Sequence, residues 1–310
     1  MPSASVRREQ PAAATGGTGM LSNATVIGTG LVGTSVALGL RQAGVPVRLE
    51  DRSGGALRQA TRMGAGVPLS DGDEPADLVL LAVPPASVAQ VLLRAQRRGL
   101  GRFYTDVASA KAAVIAAAAG QGCDFSTFVP GHPMAGAEHR GPSRARGDLF
   151  AGRSWALCPA PGTDPDAVAT VRQAVRLLGA VPCELDAHAH DRAAALVSHA
   201  PHVVSSVLAA RLKEADPLAL RLAGRGLRDV TRVAAGDVPL WTDILVHNAL
   251  PLAEVVEGLA ADLQLVAEEL RVTAADGLGG RPPALASLLH AGNAGRARLM
   301  GQDAEQAVSE

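Results

Sequence analysis

The stretch Gly28-Thr29-Gly30-Leu31-Val32-Gly33 directly follows a short apolar segment and precedes the alanine- and leucine-rich segment Thr34–Arg41. In a strand–turn–helix unit of this kind, the first glycine permits a tight turn and the second lets the backbone approach a pyrophosphate. The third lets the helix pack closely on the strand, and the helix N-terminus attracts phosphates. An ordinary glycine-rich turn would show the same spacing. The position of this glycine motif between a strand and a helix nevertheless predicts a dinucleotide site. Leu31 and Val32, within the motif, also line this predicted site.

Asp51 follows the next predicted strand. An acidic residue there accepts hydrogen bonds from the adenine ribose hydroxyls and repels a 2′-phosphate, which favours NAD over NADP. Glu50 would take this role if the strand ended one residue earlier, and Arg52 could instead pair with a 2′-phosphate. We interpret Arg52 as a solvated charge or a cover for the adenine ring, so NAD is the predicted cofactor.

The region from Ala24 to about Asp186 alternates short apolar segments with helical ones. Continuous apolar runs such as Leu78–Val83 are typical of strands buried on both faces of a parallel sheet. The alternation predicts an α/β, Rossmann-like, doubly wound parallel sheet. Its predicted strands are Ala24–Gly28, Val45–Glu50, Leu78–Val83, Phe103–Val107, Ser126–Pro130, Ser154–Cys158 and Val181–Leu185.

The strand pattern stops at about Ala187, and an all-α domain is predicted to follow. Its predicted helices are His190–Leu212, Pro217–Ala234, Leu240–Val272 and Pro283–Leu299. We therefore expect a disordered leader over residues 1–21, a nucleotide-binding domain over 22–186, a helical domain over 187–303 and a frayed tail over 304–310.

Composition excludes several classes of protein. A chain of 310 residues that is 47% hydrophobic can form about two domains with a sizeable core. The net charge of −1 provides no basic surface for nucleic acid. We find no apolar run of about 18 residues, as a membrane span requires, and no signal-peptide core. The three cysteines, at positions 123, 158 and 183, form neither a zinc pattern nor a disulfide framework. We expect a cytoplasmic protein without a metal.

Two further segments follow predicted strands. Val83 and Pro84 either line the cofactor or form a plain strand-ending turn. Ser109, in Thr105–Lys111, follows another strand, at the carboxyl edge where ligands of open α/β sheets gather. Its hydroxyl could bind substrate or nicotinamide, or it could cap the next helix without any catalytic role.

His132 lies in the loop Gly131–Glu138, after a predicted strand. Gly131 frees the backbone, so the imidazole can face the cofactor cleft. With an ordinary pKa near 6.5 it can accept a proton from a reacting hydroxyl at neutral pH. A lone histidine is more often structural, so this hypothesis depends on the other motifs. Glu138 could orient a base or cap a helix.

Ser198, His199 and His202 belong to one predicted helix, and the two histidines share a face because they are three residues apart. They could line a site or fill helix contacts. Pro201 in the helix interior predicts a kink. Arg232 could bind a carboxylate through its guanidinium fork, or it could be a surface residue paired with a nearby aspartate.

Together these motifs resemble the prephenate dehydrogenases, the oxidoreductases of tyrosine biosynthesis. The resemblance extends from about Ala24 to about Gly258 and depends on five motifs in one order, since none suffices singly. They are Gly28–Gly33 with Asp51, Asp106–Lys111, His132–Gly136, Ser198–His202, and Asp229–Arg232 with Trp241.

The resemblance implies NAD-dependent oxidative decarboxylation of prephenate to 4-hydroxyphenylpyruvate, by a homodimer that associates through its helical domain. By this resemblance, His132 deprotonates the ring hydroxyl, and Ser109 supports that hydroxyl and the nicotinamide. Arg232 binds a substrate carboxylate. The other residues that the resemblance places around the substrate are Ser198, His199, His202 and Glu138. No metal is required.

Two alternatives stay open. Ala137 stands where many relatives carry a threonine beside the substrate side chain, so arogenate or 4-amino-4-deoxyprephenate could be the substrate. A dinucleotide sensor that lost catalysis is a more distant alternative. The presence of Ser109, His132 and Arg232 argues against it.

Overall fold

The computed structural model describes residues 21–135, 141–275 and 282–308, with side chains up to residue 301. The predicted leader lies outside the described residues except for Leu21, which is buried in the core. Contacts divide the chain into two compact units, Met1–Leu252 and Ala253–Glu310.

A six-stranded parallel sheet forms the centre of the first unit. Its strands are β1 (Ala24–Ile27), β2 (Val47–Glu50), β3 (Val67–Pro68), β4 (Ala76–Leu81), β5 (Gly101–Asp106) and β6 (Phe128–Val129). The order β3-β2-β1-β4-β5-β6 is that of a Rossmann domain, so the predicted fold is confirmed. The strand order reverses between β1 and β4, which opens a ligand crevice at their carboxyl ends. β3 was not predicted because it has only two residues, both exposed.

Helices cover both faces of this sheet. They are α1 (Leu31–Gln42), α2 (Gly54–Arg62), α3 (Pro85–Arg97), α4 (Ala112–Gly120) and α5 (Pro165–Leu177). Side chains alternate between the two faces along a strand. In β4, Leu78 and Leu80 enter one buried apolar cluster, whereas Val79 and Leu81 enter the other. This double burial explains the continuous apolar run in the sequence.

The last two predicted strands do not join the main sheet. β8 (Ser154–Leu157) and β9 (Val181–Glu184) pair in parallel with each other, and β8 also pairs antiparallel with β7 (Gly131–Pro133). The prediction of one sheet was therefore wrong for this part of the chain. The reason is that β7 occupies one edge of β8 and β9 the other. β7 contains a glycine and a proline in three residues, so no strand pattern marks it.

The helical region is more broken than predicted. Its elements are α6 (Ala187–Ala194), a π-helical turn (Ala195–His199), α7 (Ala200–Arg211), α8 (Pro217–Arg221), α9 (Arg225–Thr231), a 3-10 turn (Arg232–Ala235), α10 (Val238–His247), α11 (Ala249–Ala275) and α12 (Pro283–Val308). The π turn ends at His199, just before the start of α7, whose second residue is Pro201. Pro201 lacks an N–H and needs room for its ring, so the predicted kink takes the form of a widened turn.

Two predicted helices are interrupted. Gly224, in extended conformation, separates α8 from α9. α10 and α11 meet at Asn248 with a bend of 96°. In the second unit, the carboxylate of Glu269 on α11 accepts hydrogen bonds from the backbone N–H groups of Ala284 and Leu285, which caps α12.

The stretch Ala187–Glu214 is long and apolar enough to cross a membrane by length and composition, contrary to the sequence expectation. A buried core helix passes the same test. This stretch carries His190, Asp191 and His199, which are buried and hydrogen-bonded within the first unit, although only 33% of its apolar window is buried. We interpret it as a helix that packs on the first unit along one face and exposes apolar side chains on the other.

Candidate active site

The three glycines of the loop between β1 and α1 meet different spatial requirements. Gly28 has a φ of +100°, and a Cβ there would lie 2.2 Å from the carbonyl oxygen of Ala82. A Cβ at Gly33 would lie 1.9 Å from the carbonyl oxygen of Gly28, so α1 packs directly against the turn. A Cβ at Gly30 would meet no atom within 4 Å. The turn and the helix packing thus need Gly28 and Gly33, while the surface at Gly30 is open, as a bound pyrophosphate requires.

Asp51 lies directly against this glycine loop. Its Oδ2 accepts hydrogen bonds from the backbone N–H and the hydroxyl of Thr29, at 2.5 and 2.8 Å, and its Oδ1 accepts one from the N–H of Ser53. Glu50, the alternative, instead forms an ion pair with Arg98 at 2.7 Å. The carboxylate beside the dinucleotide loop is therefore that of Asp51.

The other strand-end residues lie at the same edge. A methyl carbon of Val83 is 3.3 Å from the position of a Cβ on Gly28, and Pro84 is the N-cap residue of α3. Ser109 does not cap α4, because the N-cap residue is Lys111. The structural alternative for Ser109 is thus removed, and its half-buried side chain lies just beyond the carboxyl end of β5.

A buried ion pair fixes the strand that carries the candidate base. Lys111 and Asp106 are fully buried, and the Lys111 Nζ donates to Asp106 Oδ2 at 2.5 Å and to the Gly131 carbonyl at 2.6 Å. Asp106 Oδ1 in turn accepts from the Gly131 N–H at 3.0 Å. Both backbone groups of Gly131 are thereby held beside β5, which places the following residue, His132, at the edge of the sheet where ligands bind.

His132 begins a chain of buried side chains. Its Nδ1 lies 2.8 Å from His190 Nε2, and His190 Nδ1 lies 2.8 Å from Asp191 Oδ1. Because an ionised carboxylate only accepts, His190 donates to Asp191 through Nδ1–H, and in its neutral form it accepts from His132 at Nε2. His132 therefore carries its proton on Nδ1, and its Nε2 lone pair is left to accept a proton.

The surroundings keep His132 neutral. Burial, then the nearby His190, Lys111 and His199, place the pKa of His132 well below its ordinary value of 6.5. An imidazole that is neutral at physiological pH and has its second nitrogen oriented by a carboxylate-anchored partner is suited to act as a general base.

Asp191 makes more than this one contact. Its two carboxylate oxygens also accept hydrogen bonds from the backbone N–H groups of Lys111 and Ala112, at 2.8 and 2.9 Å, which caps α4. Burial raises the pKa of Asp191, but hydrogen bonds from His190, Lys111 and Ala112 outweigh it and hold the pKa below the ordinary value. Asp191 is therefore a carboxylate at neutral pH.

His199, the last residue of the π turn, and His202 on α7 are also buried. His199 Nδ1 lies 2.9 Å from the side-chain nitrogen of Asn248. Burial, then His190, lower the pKa of His199 to about 4. His202 stacks on Trp241, with ring centroids 3.6 Å apart and planes 10° from parallel.

The remaining predicted site residues differ in their placement. Ser198 is half-buried in the π turn. Arg232 is exposed and begins the 3-10 turn, which packs against α7. Glu138 and Ala137 lie outside the described residues.

Sequence reasoning missed His190, Asp191 and Asn248 as members of the site. The adjacent pair His190-Asp191 at the start of a helical stretch was a usable signal, because a histidine beside an acid is a common base-orienting pair. Nothing in the local sequence identifies Asn248 as a residue of the site.

The Rossmann sheet, the open glycine loop and the oriented, neutral histidine define the class of dinucleotide-binding dehydrogenases. Comparison with known families specifies this class further. Residues 36–184 match the nucleotide-binding domain of prephenate dehydrogenase, and residues 186–280 match its dimerization domain. The chain belongs to the prephenate dehydrogenase family.

Individual relatives agree with this assignment. The chain is 44% identical over 232 residues to the Streptomyces niveus protein named "Probable prephenate dehydrogenase NovF", covering 74% of this chain and 64% of that protein. Synechocystis arogenate dehydrogenase is 27% identical, with a TM-score of 0.71 over 89% of this chain and 99% of that one. Aquifex aeolicus prephenate dehydrogenase, in complex with hydroxyphenyl propionate and NAD+, is 25% identical, with a TM-score of 0.77 over 90% of this chain and 98% of that one. The chain spans about half to two thirds of the length of the curated relatives it matches.

Proposed function

We propose that this protein catalyses the NAD-dependent oxidative decarboxylation of prephenate to 4-hydroxyphenylpyruvate, a step of tyrosine biosynthesis. The observation that carries the proposal is the chain His132–His190–Asp191 beside the carboxyl end of β5 in a member of this family. It supplies a neutral base at the carboxyl edge of the sheet that also carries the glycine loop.

In this proposal the protein's residues bind, orient and deprotonate the substrate. Residues 28–33, Asp51, Val83 and Pro84 hold the cofactor, which when bound supplies the acceptor for the hydride from the hydroxyl-bearing ring carbon. His132 Nε2 takes the hydroxyl proton, and the oxygen's electrons then favour departure of the hydride. Loss of the ring carboxylate as CO2 leaves the ring aromatic. Ser109 hydrogen-bonds the same hydroxyl.

The substrate's negative charges require a cation. We assign this role to Arg232, with Ser198, His199, His202 and Glu138 around the ring and side chain. The support for Arg232 is that its 3-10 turn packs on α7, the helix that carries His202. A guanidinium provides two parallel hydrogen bonds to a carboxylate.

Arg232→Ala is expected to raise the KM for prephenate about 10- to 100-fold, because a charge-assisted hydrogen bond to the substrate is lost. The KM for NAD+ should change little. Arg232→Lys should restore binding only in part, since lysine lacks the planar fork. The matched control is Arg228→Ala, an exposed arginine on α9. If Arg232→Ala keeps the wild-type KM for prephenate, Arg232 is not a substrate ligand.

NAD+ is expected to be preferred over NADP+ in kcat/KM by about 10-fold or more, because the Asp51 carboxylate beside the glycine loop would repel a 2′-phosphate. Asp51→Asn should lower the ratio of kcat/KM with NAD+ to kcat/KM with NADP+. Steady-state kinetics with both cofactors measures it. A preference for NADP+ would assign the dominant role to Arg52.

The substrate panel that tests the proposal contains prephenate, arogenate and 4-amino-4-deoxyprephenate. We expect NADH to form most efficiently with prephenate. The likeness to Synechocystis arogenate dehydrogenase supports arogenate as the second candidate. A protein that binds NAD+ but forms no NADH with any of the three would be a sensor, and the proposal would fail.

We further propose that the protein is a cytoplasmic homodimer. The match of residues 186–280 to a dimerization domain supports this. So does the exposed apolar surface on the π turn and α7, which includes Leu196, Val197, Val204, Val207 and Leu208. Such a surface is typical of a protein interface.

A further inference from the structure

Asn248 lies at the bend between α10 and α11, and its side chain is buried. Its amide nitrogen lies 2.8 Å from the Asp191 carbonyl oxygen and 2.9 Å from His199 Nδ1. A carbonyl oxygen can only accept, so the atom facing Asp191 is the NH2 group and the orientation of the amide is fixed. The second hydrogen of that group points to His199.

The orientation of the Asn248 amide sets the tautomer of His199. Because Nδ1 receives a hydrogen bond from Asn248, it must be the unprotonated nitrogen of a neutral ring. Burial lowers the pKa of His199 to about 4, so the ring is neutral at physiological pH. Its single proton therefore lies on Nε2.

The resulting N–H of His199 has no hydrogen-bond partner among the described residues, although the side chain is fully buried. A buried donor of this kind costs free energy unless an acceptor reaches it. His199 is close enough to His132 to contribute to the low pKa of His132. The unpaired donor thus belongs to the same buried cluster as the base.

His132 and His199 are held in opposite tautomers. Asp191, through His190, leaves His132 with a free lone pair on Nε2, while Asn248 leaves His199 with a free N–H on Nε2. One ring can remove a proton, and the other can donate a hydrogen bond to an oxygen. An anionic cyclohexadienol that loses a hydroxyl proton needs both functions.

We propose that Asn248 is a positioning residue, which fixes His199 as the Nε2–H tautomer so that this N–H donates a hydrogen bond to a substrate oxygen beside His132. This inference rests on the proposed oxidation of prephenate for the identity of the substrate. The tautomer itself does not depend on it.

The first test is 15N NMR of the histidine rings, assigned with a His199→Gln variant. In the wild-type protein without substrate, His199 should show a protonated Nε2 and an unprotonated Nδ1. In Asn248→Asp the carboxylate can only accept, so the proton should move to Nδ1. A wild-type His199 protonated on Nδ1 would overturn the proposal, whatever the enzyme's activity.

The second test is a double-mutant cycle in kcat/KM for prephenate. Asn248→Leu should lower kcat/KM about 10-fold, with the KM for NAD+ nearly unchanged. In a His199→Leu background the same substitution should cost little more, because its effect is exerted through His199. An equal loss in both backgrounds would show that Asn248 only stabilises the bend.

Asn293→Leu is the matched control, because Asn293 is an exposed asparagine within α12. We expect wild-type kinetics from it. If the wild-type protein oxidises none of the panel substrates, the proposed function fails, whereas the NMR measurement still decides the tautomer.

Discussion

His132→Asn is expected to lower kcat for prephenate oxidation about 10²–10⁴-fold, the usual loss when a general base is removed. Asparagine can still donate a hydrogen bond to His190 but cannot take up a proton. Because proton abstraction acts in the transition state, KM should change much less than kcat. Steady-state kinetics with prephenate and NAD+ measures both constants.

The control for this variant is His188→Asn, at an exposed position on α6. It should keep the wild-type kcat. The pH profile gives an independent check, because burial disfavours the charged imidazolium and lowers the pKa of His132 below 6.5. The acid limb of kcat/KM should therefore lie below pH 6.5. A wild-type kcat in His132→Asn would remove this residue from the mechanism.

Lys111→Met is expected to reduce the free energy of unfolding by about 3–5 kcal/mol, because it leaves the Asp106 carboxylate buried without its counter-ion. Methionine approximates the length of the lysine stem, so lost packing contributes little. The carbonyl of Gly131 also loses its donor. Urea unfolding at one fixed protein concentration measures the change, since dimerisation would couple stability to concentration.

Arg146→Met is the matched control, because Arg146 pairs with Asp148 at 3.2 Å with both side chains more than half exposed. Exposed ion pairs contribute little to stability. We expect no resolvable change in its unfolding midpoint. A similarly small change in Lys111→Met would mean that water or relaxation compensates the charge of Asp106.

The sequence predicted the main sheet well because burial on both faces imposes continuous apolar runs such as Leu78–Val83. It did not predict β7, whose three residues are specified by pairing with β8 rather than by their own propensity. Pro201 correctly indicated a distortion. The break at Asn248 was missed although Pro251 lies three residues after it. A proline inside a helix cannot donate a hydrogen bond to the carbonyl four residues earlier, here that of His247, and its ring clashes with that carbonyl.

The site was only partly accessible to sequence reasoning. The glycine loop is a local motif, so its spacing could be read directly. The contacts that orient the base are not local: His132 and His190 are 58 residues apart, and Lys111 and Asp191 are 80 apart. Such pairs arise only when the helical region packs on the sheet, which no spacing rule describes.

Asp191 makes three separate contacts that shape the site. It anchors His190, caps α4 with its carboxylate and receives Asn248 at its main-chain oxygen. A substitution that removes the carboxylate would disturb the anchoring of His190 and the cap of α4 together, because both depend on the same two oxygens. We therefore expect a loss of the Asp191 carboxylate to lower activity and stability together. A change of substrate preference is therefore better engineered at side chains that touch the substrate than at Asp191, which is tied to both the base and the fold.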